Sequence, residues 1–223
     1  MKILAIDTSS KFLCLGIYDS GRIYEYNIEV GTRLSSLLSV TIKRVLDNLG
    51  WDIGEIDYFA CGVGPGSFTG MRVGISAIKG LSWSTGKPVI AIPSLDLLAQ
   101  GIEDTQKQII PIVDAKRSLI YCSVYKKQDG EIKRIKPYML LNEKELLKNI
   151  KDNAILVGDA SSLYKERIQA SAKGLKFLEK DHWYPKGRHI LTLALQRIKD
   201  KKTGNSFNIK PIYLYPKECQ IKK

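Results

Sequence analysis

One order of secondary structure can be read twice along these 223 residues, and that repetition narrows the fold more than any other feature. The first copy begins with a strand, Lys2 to Asp7, and a polar turn, Thr8-Ser9-Ser10-Lys11. A strand from Phe12 to Tyr18, an Asp19-Ser20-Gly21 turn and a strand from Arg22 to Val30 follow. Then come a helix from Thr32 to Leu49 closed by Gly50, a strand from Ile56 to Val63, a helix from Ser67 to Ser84, the strand Pro88 to Ile92 and a short helix from Leu95 to Gln100. The second copy reads as strand Ile109 to Asp114, turn Lys116-Arg117-Ser118, strand Leu119 to Tyr125, turn Gln128-Asp129-Gly130 and strand Glu131 to Leu140. It continues with a helix to Ile150 opened by an Asn142/Glu145 capping box, a buried strand Ala154 to Val157 and a helix from Ser161 to Ala170. Each first strand is almost wholly apolar, as expected of a strand buried on both faces, and each ends in an acid, Asp7 and Asp114. Two sheets that must each be buried under helices predict an α/β protein of two subdomains, each a mixed β-sheet flanked by helices. The boundary is expected between 103 and 104, giving subdomains 1–103 and 104–223. A helix at 188–201 falls in the second by sequence, with a return onto the first left open.

The stretch Gly62-Val63-Gly64-Pro65-Gly66-Ser67-Phe68-Thr69-Gly70-Met71-Arg72-Val73-Gly74 is the densest punctuation in the chain. It lacks the Gly-Lys pair of a Walker A loop, the G-x-S-x-G spacing of a nucleophile elbow and the third glycine of a dinucleotide fingerprint. What remains is helix-start chemistry: Ser67 or Thr69 can accept from free backbone N–H groups, and an anion would find a partly positive helix end there. Beyond it, Gly70, Gly74, Ala77, Leu81 and Ser84 recur at three- or four-residue steps. A glycine inside a helix costs about 1 kcal/mol relative to alanine, so a close backbone approach along this stripe is expected. The preceding helix is also rich in apolar and small residues, and the pair suits either packing on its own sheet or an interface with another subunit.

The net charge of +12 is uneven. Residues 1–100 hold 9 basic and 9 acidic residues, whereas residues 101–223 hold 26 and 14. A basic half fits contact with RNA or an acidic protein, and it equally fits a solvated lysine-rich surface. No apolar run is long enough to cross a bilayer. The start MKILAIDTSS is neither signal peptide nor anchor, so a cytoplasmic protein is expected. Cys14, Cys61, Cys122 and Cys219 are far apart with no C-x-x-C, which predicts separate reduced thiols. The only histidines, His182 and His189, are seven apart with Pro185 and Gly187 between them, a poor spacing for a shared metal.

The segments MKILAIDTSS, GVGPGSFTGMRVGISAIKGLS, PVIAIPSLDLLA, VDAKRSLIY and KPIYLYPKE, in that order, resemble the bacterial TsaB (YeaZ) family, densely over residues 1–125 and thinly after. The resemblance implies two actin-like (ASKHA, ribonuclease H-like) subdomains. It implies a non-catalytic subunit that binds and activates a catalytic TsaD-like partner, alongside a TsaE-like ATPase and the TsaC enzyme, in making N6-threonylcarbamoyladenosine at position 37 of tRNA. The partner surface carried over is Arg33, Leu34, Leu37, Leu38, Thr41 and Val45 on the first helix, and Phe68, Thr69, Gly70, Arg72, Gly74, Ala77, Ile78 and Leu81 on the second. The same surface would serve a homodimer, and tRNA would be met indirectly or through the basic C-terminal half. No catalytic residue and no metal site are expected, because the helix that carries His-x-x-x-His in a TsaD-type enzyme has no His here. The glycines of a second phosphate loop are replaced by Ala115, Lys116 and Arg117, and Gly158-Asp159 offers one glycine where an adenosine turn has two. No cofactor is expected, with ATP or ADP at the subunit contact as the remaining option. The alternative is a stand-alone ATPase or kinase of this fold, with Asp7 orienting water or metal and Thr8, Ser9 and Ser10 holding phosphate.

Overall fold

The computed structural model describes residues 1–102, 105–150 and 153–216, in two compact units. The first comprises Met1–Leu97 and Pro185–Ile212, and the second Leu98–Tyr184 and the chain from Tyr213 on. No single cut between 103 and 104 expresses this division; residues 103 and 104, and Cys219, lie outside the described ones.

In the first unit, β1 (Lys2–Asp7), β2 (Phe12–Asp19), β3 (Arg22–Glu29), β4 (Tyr58–Gly62) and β5 (Val89–Ile92) form one sheet in the order β3-β2-β1-β4-β5. β1, β2 and β3 pair antiparallel, and β4 and β5 run parallel to β1. The β2–β3 hairpin turns on Ser20 and Gly21, both at positive φ (46° and 97°), which matches the right-handed twist of the strands. Helix α1 (Leu34–Leu49) buries Leu34, Leu38, Thr41, Ile42 and Leu46 and ends on Gly50 at φ 67°. Helix α2 (Phe68–Thr85) follows β4 and buries Gly70, Met71, Gly74, Ile75, Ile78 and Ser82. A short helix, α3 (Ser94–Gln100), follows β5.

The C-terminal helix α6 (Gly187–Lys199) belongs to this same unit, although the 94 residues 93–186 separate it from β5 in sequence. Its Ile190, Leu191 and Ala194 pack with Ile3, Ala5, Cys14, Ala60 and Ile90. Gly16 and Gly187 let it lie close: a Cβ on Gly16 would stand 2.7 Å from the Gly187 carbonyl oxygen. The helix start is pinned to β3, where the Gly187 N–H donates to Asn27 Oδ1 (3.3 Å) and the Arg188 N–H to Glu25 Oε2 (3.1 Å). The Arg188 guanidinium also holds Glu25, and this pulls the Glu25 carboxyl below its usual range.

The second unit repeats the topology. β6 (Ile109–Lys116), β7 (Leu119–Cys122), β10 (Met139–Leu141), β11 (Ile155–Val157) and β12 (Lys176–Phe177) stand in the order β10-β7-β6-β11-β12. Helices α4 (Glu143–Asn149) and α5 (Ser161–Ser171) cover this sheet. The capping box is present, with Asn142 Oδ1 accepting from the Glu145 N–H and Glu145 Oε2 from the Asn142 N–H. Two expected strands are each broken. Leu119–Tyr125 splits at buried Ser123, whose hydroxyl donates to the Lys136 carbonyl (2.7 Å), and Glu131–Leu140 splits before Pro137, which has no N–H for a ladder. The outcome is an extra hairpin, β8 (Tyr125–Gln128) and β9 (Glu131–Arg134), inserted between the second and third strands of the repeat.

Candidate functional site

At the end of β1 the Asp7 carboxylate is enclosed. Its Oδ1 accepts from the Ser9 N–H (2.9 Å) and Ser9 hydroxyl (2.7 Å), and its Oδ2 accepts from the Ser94 hydroxyl (2.7 Å). Ser94 Oγ in turn accepts from the Gly64 N–H (3.0 Å). Burial lifts the Asp7 carboxyl above its usual value, against the pull of the hydrogen bonds from Ser94 and Ser9. Gly62 packs directly on this carboxylate, leaving no room for a Cβ.

The next residue closes the turn against α2. Thr8 is buried, and its hydroxyl donates to the Gly70 carbonyl (2.8 Å). The Ser67 N–H donates to the Ser9 carbonyl (2.7 Å), and Ser67 caps α2 by accepting from the Gly70 N–H (3.2 Å). A Cβ on Gly66, Gly70 or Gly74 would fall inside 3.0 Å of Ser9 or Thr8. The small-residue stripe therefore does secure a close backbone approach, but within the chain. Of the four residues of the possible nucleotide site, Asp7, Thr8 and Ser9 are buried, and Ser10 Oγ accepts from the Phe12 N–H (3.1 Å). The start of α2 packs directly against this turn.

The same inward packing corrects part of the expected partner surface. Gly70, Gly74, Ile78, Leu34, Leu38 and Thr41 are buried in the unit and present nothing to a partner. Arg33, Phe68, Thr69 and Arg72 are exposed, and Leu37, Val45, Ala77 and Leu81 are half-buried. The Arg72 guanidinium lies over the Phe68 ring at 3.8 Å. The outer face also carries residues that the reading of the sequence left out: Trp83 is 74% exposed and Val40 53%, against 42% for Phe68. Ser76, Gly80 and Ser84 form the exposed small stripe of α2, and a Cβ on Gly80 would meet nothing within 4 Å. The missing signal was phase: the sequence shows which residues recur, but only the sheet's position shows which side of the helix faces it.

In the second unit the turn after β6 keeps the repeat's shape with different residues. Lys116, Arg117 and Ser118 all hold positive φ (65°, 53° and 58°), the region glycine would fill most easily. Asp114 Oδ1 accepts from the Lys116 N–H (2.8 Å) and Oδ2 from Lys116 Nζ (2.6 Å), while the Asp114 N–H donates to Asp159 Oδ1 (2.9 Å). Burial raises the Asp159 carboxyl. Gly158 packs on the Ile112 carbonyl. The Tyr215 hydroxyl reaches the Ala115 and Lys116 carbonyl oxygens (2.9 and 3.2 Å).

Among the described residues no group of three or more His, Cys, Asp or Glu is placed to hold a metal. His182 lies in a short 3-10 turn of the second unit and His189 on α6 of the first. Cys14, Cys61 and Cys122 are unbridged and buried, and burial pushes the Cys122 thiol up to about 12. No helix among the described residues is long and apolar enough to cross a membrane.

Two similar mixed sheets make up this fold, and the class follows from the family model described as TsaD, tRNA N6-adenosine threonylcarbamoyltransferase, which matches residues 29–223. Within that class the chain belongs to the TsaB family. It is 30% identical to the tRNA threonylcarbamoyladenosine biosynthesis protein TsaB of Buchnera aphidicola (subspecies Schizaphis graminum) over 85% of this chain and 90% of that one. It is 28% identical to TsaB of Bacillus subtilis over 100% and 97%. In fold it matches YeaZ from Pseudomonas aeruginosa with a TM-score of 0.82 at 23% identity, covering 95% of this chain and 100% of that one.

Proposed function

We propose that this chain is a non-catalytic subunit of tRNA threonylcarbamoyladenosine synthesis that docks on a TsaD-like catalytic partner through the outer face of α1 and α2. The observation that carries this reading is the closure of the Asp7 turn. The acid, both hydroxyls and the glycines that would serve a phosphate are spent on one another. Meanwhile Phe68, Trp83 and Val40 stand in solvent on the neighbouring helices. Large aromatic side chains beside small residues are the composition of an interface centre, where they bury much area at little cost in ordering. A homodimer through the same face is the competing use of that surface.

Two measurements test the reading. Reconstituted tRNA modification by the catalytic partner should depend on added chain. Calorimetry should show partner affinity falling at least tenfold for Gly80→Leu and for Trp83→Ala, with circular dichroism unchanged. Unaltered affinity in both folded variants would remove the interface assignment. ATP turnover by the purified chain alone, abolished by Asp7→Asn, would replace the whole reading with the stand-alone ATPase.

A further inference from the structure

The second unit departs from the first by one insertion. In the first unit β2 passes to β3 through a two-residue turn at Ser20 and Gly21, but in the second the β8–β9 hairpin stands between β7 and β10. The fold does not need it, since both sheets have the same five-strand order without it. The hairpin is rooted by buried Tyr125, by a single pairing of Tyr125 with Ile109, and by the Val124 carbonyl, which accepts from the Ile135 N–H (2.7 Å). From that root it runs out to a turn at Asp129 and Gly130, both at positive φ.

Its register is unfavourable for a free ribbon. Lys126 stands directly opposite Lys133, and like charges across a strand pair are destabilising. Lys133 has Asp129 as a counter-ion at 3.3 Å, whereas Lys126 has no ion pair among the described residues. On the opposite face Lys127 is the diagonal neighbour of Arg134, and the Arg134 guanidinium stacks on the Tyr138 ring at 3.9 Å. Cations thus occupy both faces of the ribbon, in the half of the chain that holds all of the net charge.

We infer that the β8–β9 hairpin is an RNA-phosphate contact that inserts between two phosphate-bearing strands of folded tRNA; this rests on the tRNA-modification reading for the identity of the RNA. A ribbon cationic on one face would lie along a single phosphate row. One cationic on both faces suits a cleft with phosphates on either side, as folded RNA provides, and there an anion relieves the Lys126–Lys133 repulsion. The Arg134–Tyr138 stack offers a flat surface for an unstacked base beside it.

The test uses the full-length chain and an unmodified tRNA transcript, with binding measured by fluorescence anisotropy across a salt series. The double variant Lys126→Glu/Lys133→Glu is compared with Lys165→Glu/Lys173→Glu, an equal charge change on exposed positions elsewhere in the unit. The hairpin double should lose at least tenfold in affinity. It should also flatten the slope of log affinity against log salt by about 1.4–1.8, the release from two phosphate contacts. The control should stay within about threefold, and Lys126→Arg/Lys133→Arg should restore binding. Equal losses in both Glu doubles, no loss in the hairpin double, or no salt-dependent tRNA binding by the wild type overturns the assignment. Partner affinity of the same variants separates the two readings. Intact partner binding with unchanged tRNA affinity sinks the hairpin alone. Absent partner binding with a hairpin-specific tRNA loss sinks the subunit reading and keeps the hairpin.

Discussion

Replacing Gly74 with alanine sets a methyl group against the Thr8 hydroxyl, closer than the 3.0 Å that Cβ atoms respect, with Thr8 Cβ and Cγ2 also at 3.3 Å. Two effects oppose each other. Alanine is favoured over glycine in a helix interior by about 1 kcal/mol. Against this, forcing a methyl into a filled site costs about 1–3 kcal/mol, and turning Thr8 away from the Gly70 carbonyl strands a buried hydroxyl at about 1–3 kcal/mol. The expected net loss for Gly74→Ala is about 1–5 kcal/mol. Gly80→Ala meets nothing within 4 Å and keeps only the propensity gain, so it should be neutral or more stable by up to about 1 kcal/mol. Urea unfolding followed by circular dichroism, with Trp51 and Trp83 fluorescence in a Trp183→Phe background reporting on the first unit, measures both. With a slope of about 2–3 kcal/mol per molar urea, the two midpoints should separate by at least roughly 0.3 M. Equal midpoints would refute inward packing of the stripe, and with it the closure of the Asp7 turn by α2.

The pH dependence of the first unit should follow Asp7. Burial raises its folded carboxyl above the ordinary value of 3.8, so the folded state binds the proton more tightly and stability declines as pH rises from 3.8 through the raised value. Asp7→Asn should remove that decline, so unfolding midpoints of the two proteins across that window should diverge with rising pH in the variant's favour; parallel curves would contradict it. Tyr121, raised to about 12 by burial and by Tyr215, should cost the second unit stability as pH climbs from 10 through 12, seen as phenolate absorbance lagging that of exposed tyrosines. Arg188→Ala should cost about 0.5–1 kcal/mol, since the guanidinium is largely exposed and its pair is screened. Because the Glu25 carboxyl is lowered, the wild-type advantage should be present above 4.5 and fade as pH falls through the lowered value.

Local chemistry made much of this fold legible. The apolar strand ending in Asp7, the Ser20-Gly21 turn, the Asn142/Glu145 box and the Gly50 helix end each depend on neighbours in sequence, and each stands where the pattern puts it, whereas the first strand of the second unit runs past Asp114 to Lys116. The extra hairpin was hidden because Ser123 looks like any strand residue until its hydroxyl is seen to hold Lys136. The return of α6 to the first sheet was hidden because Gly16 and Gly187 meet across 171 residues, and each alone is an ordinary glycine. The partner surface was half legible for a different reason. Periodicity shows which residues of α1 and α2 recur, but residues that repeat every third or fourth position look alike whether they face a sheet or a solvent boundary.

Helix α2 resolves that ambiguity by carrying two stripes of small residues. At 100° per residue, Gly70 and Gly74 centre about 100° around the helix from Ser76, Gly80 and Ser84. The first stripe presses on Thr8, and the second lies open beside Trp83. The two are linked through rigidity. Because the start of α2 is fixed by the Ser67–Ser9 hydrogen bond and the glycines seated on Thr8, its outer face is presented without further ordering. A docking surface that is already ordered loses less entropy on association and needs less area to hold a partner. If the proposed docking holds, the contacts that close the Asp7 turn are the same ones that fix the start of the helix carrying Phe68 and Trp83.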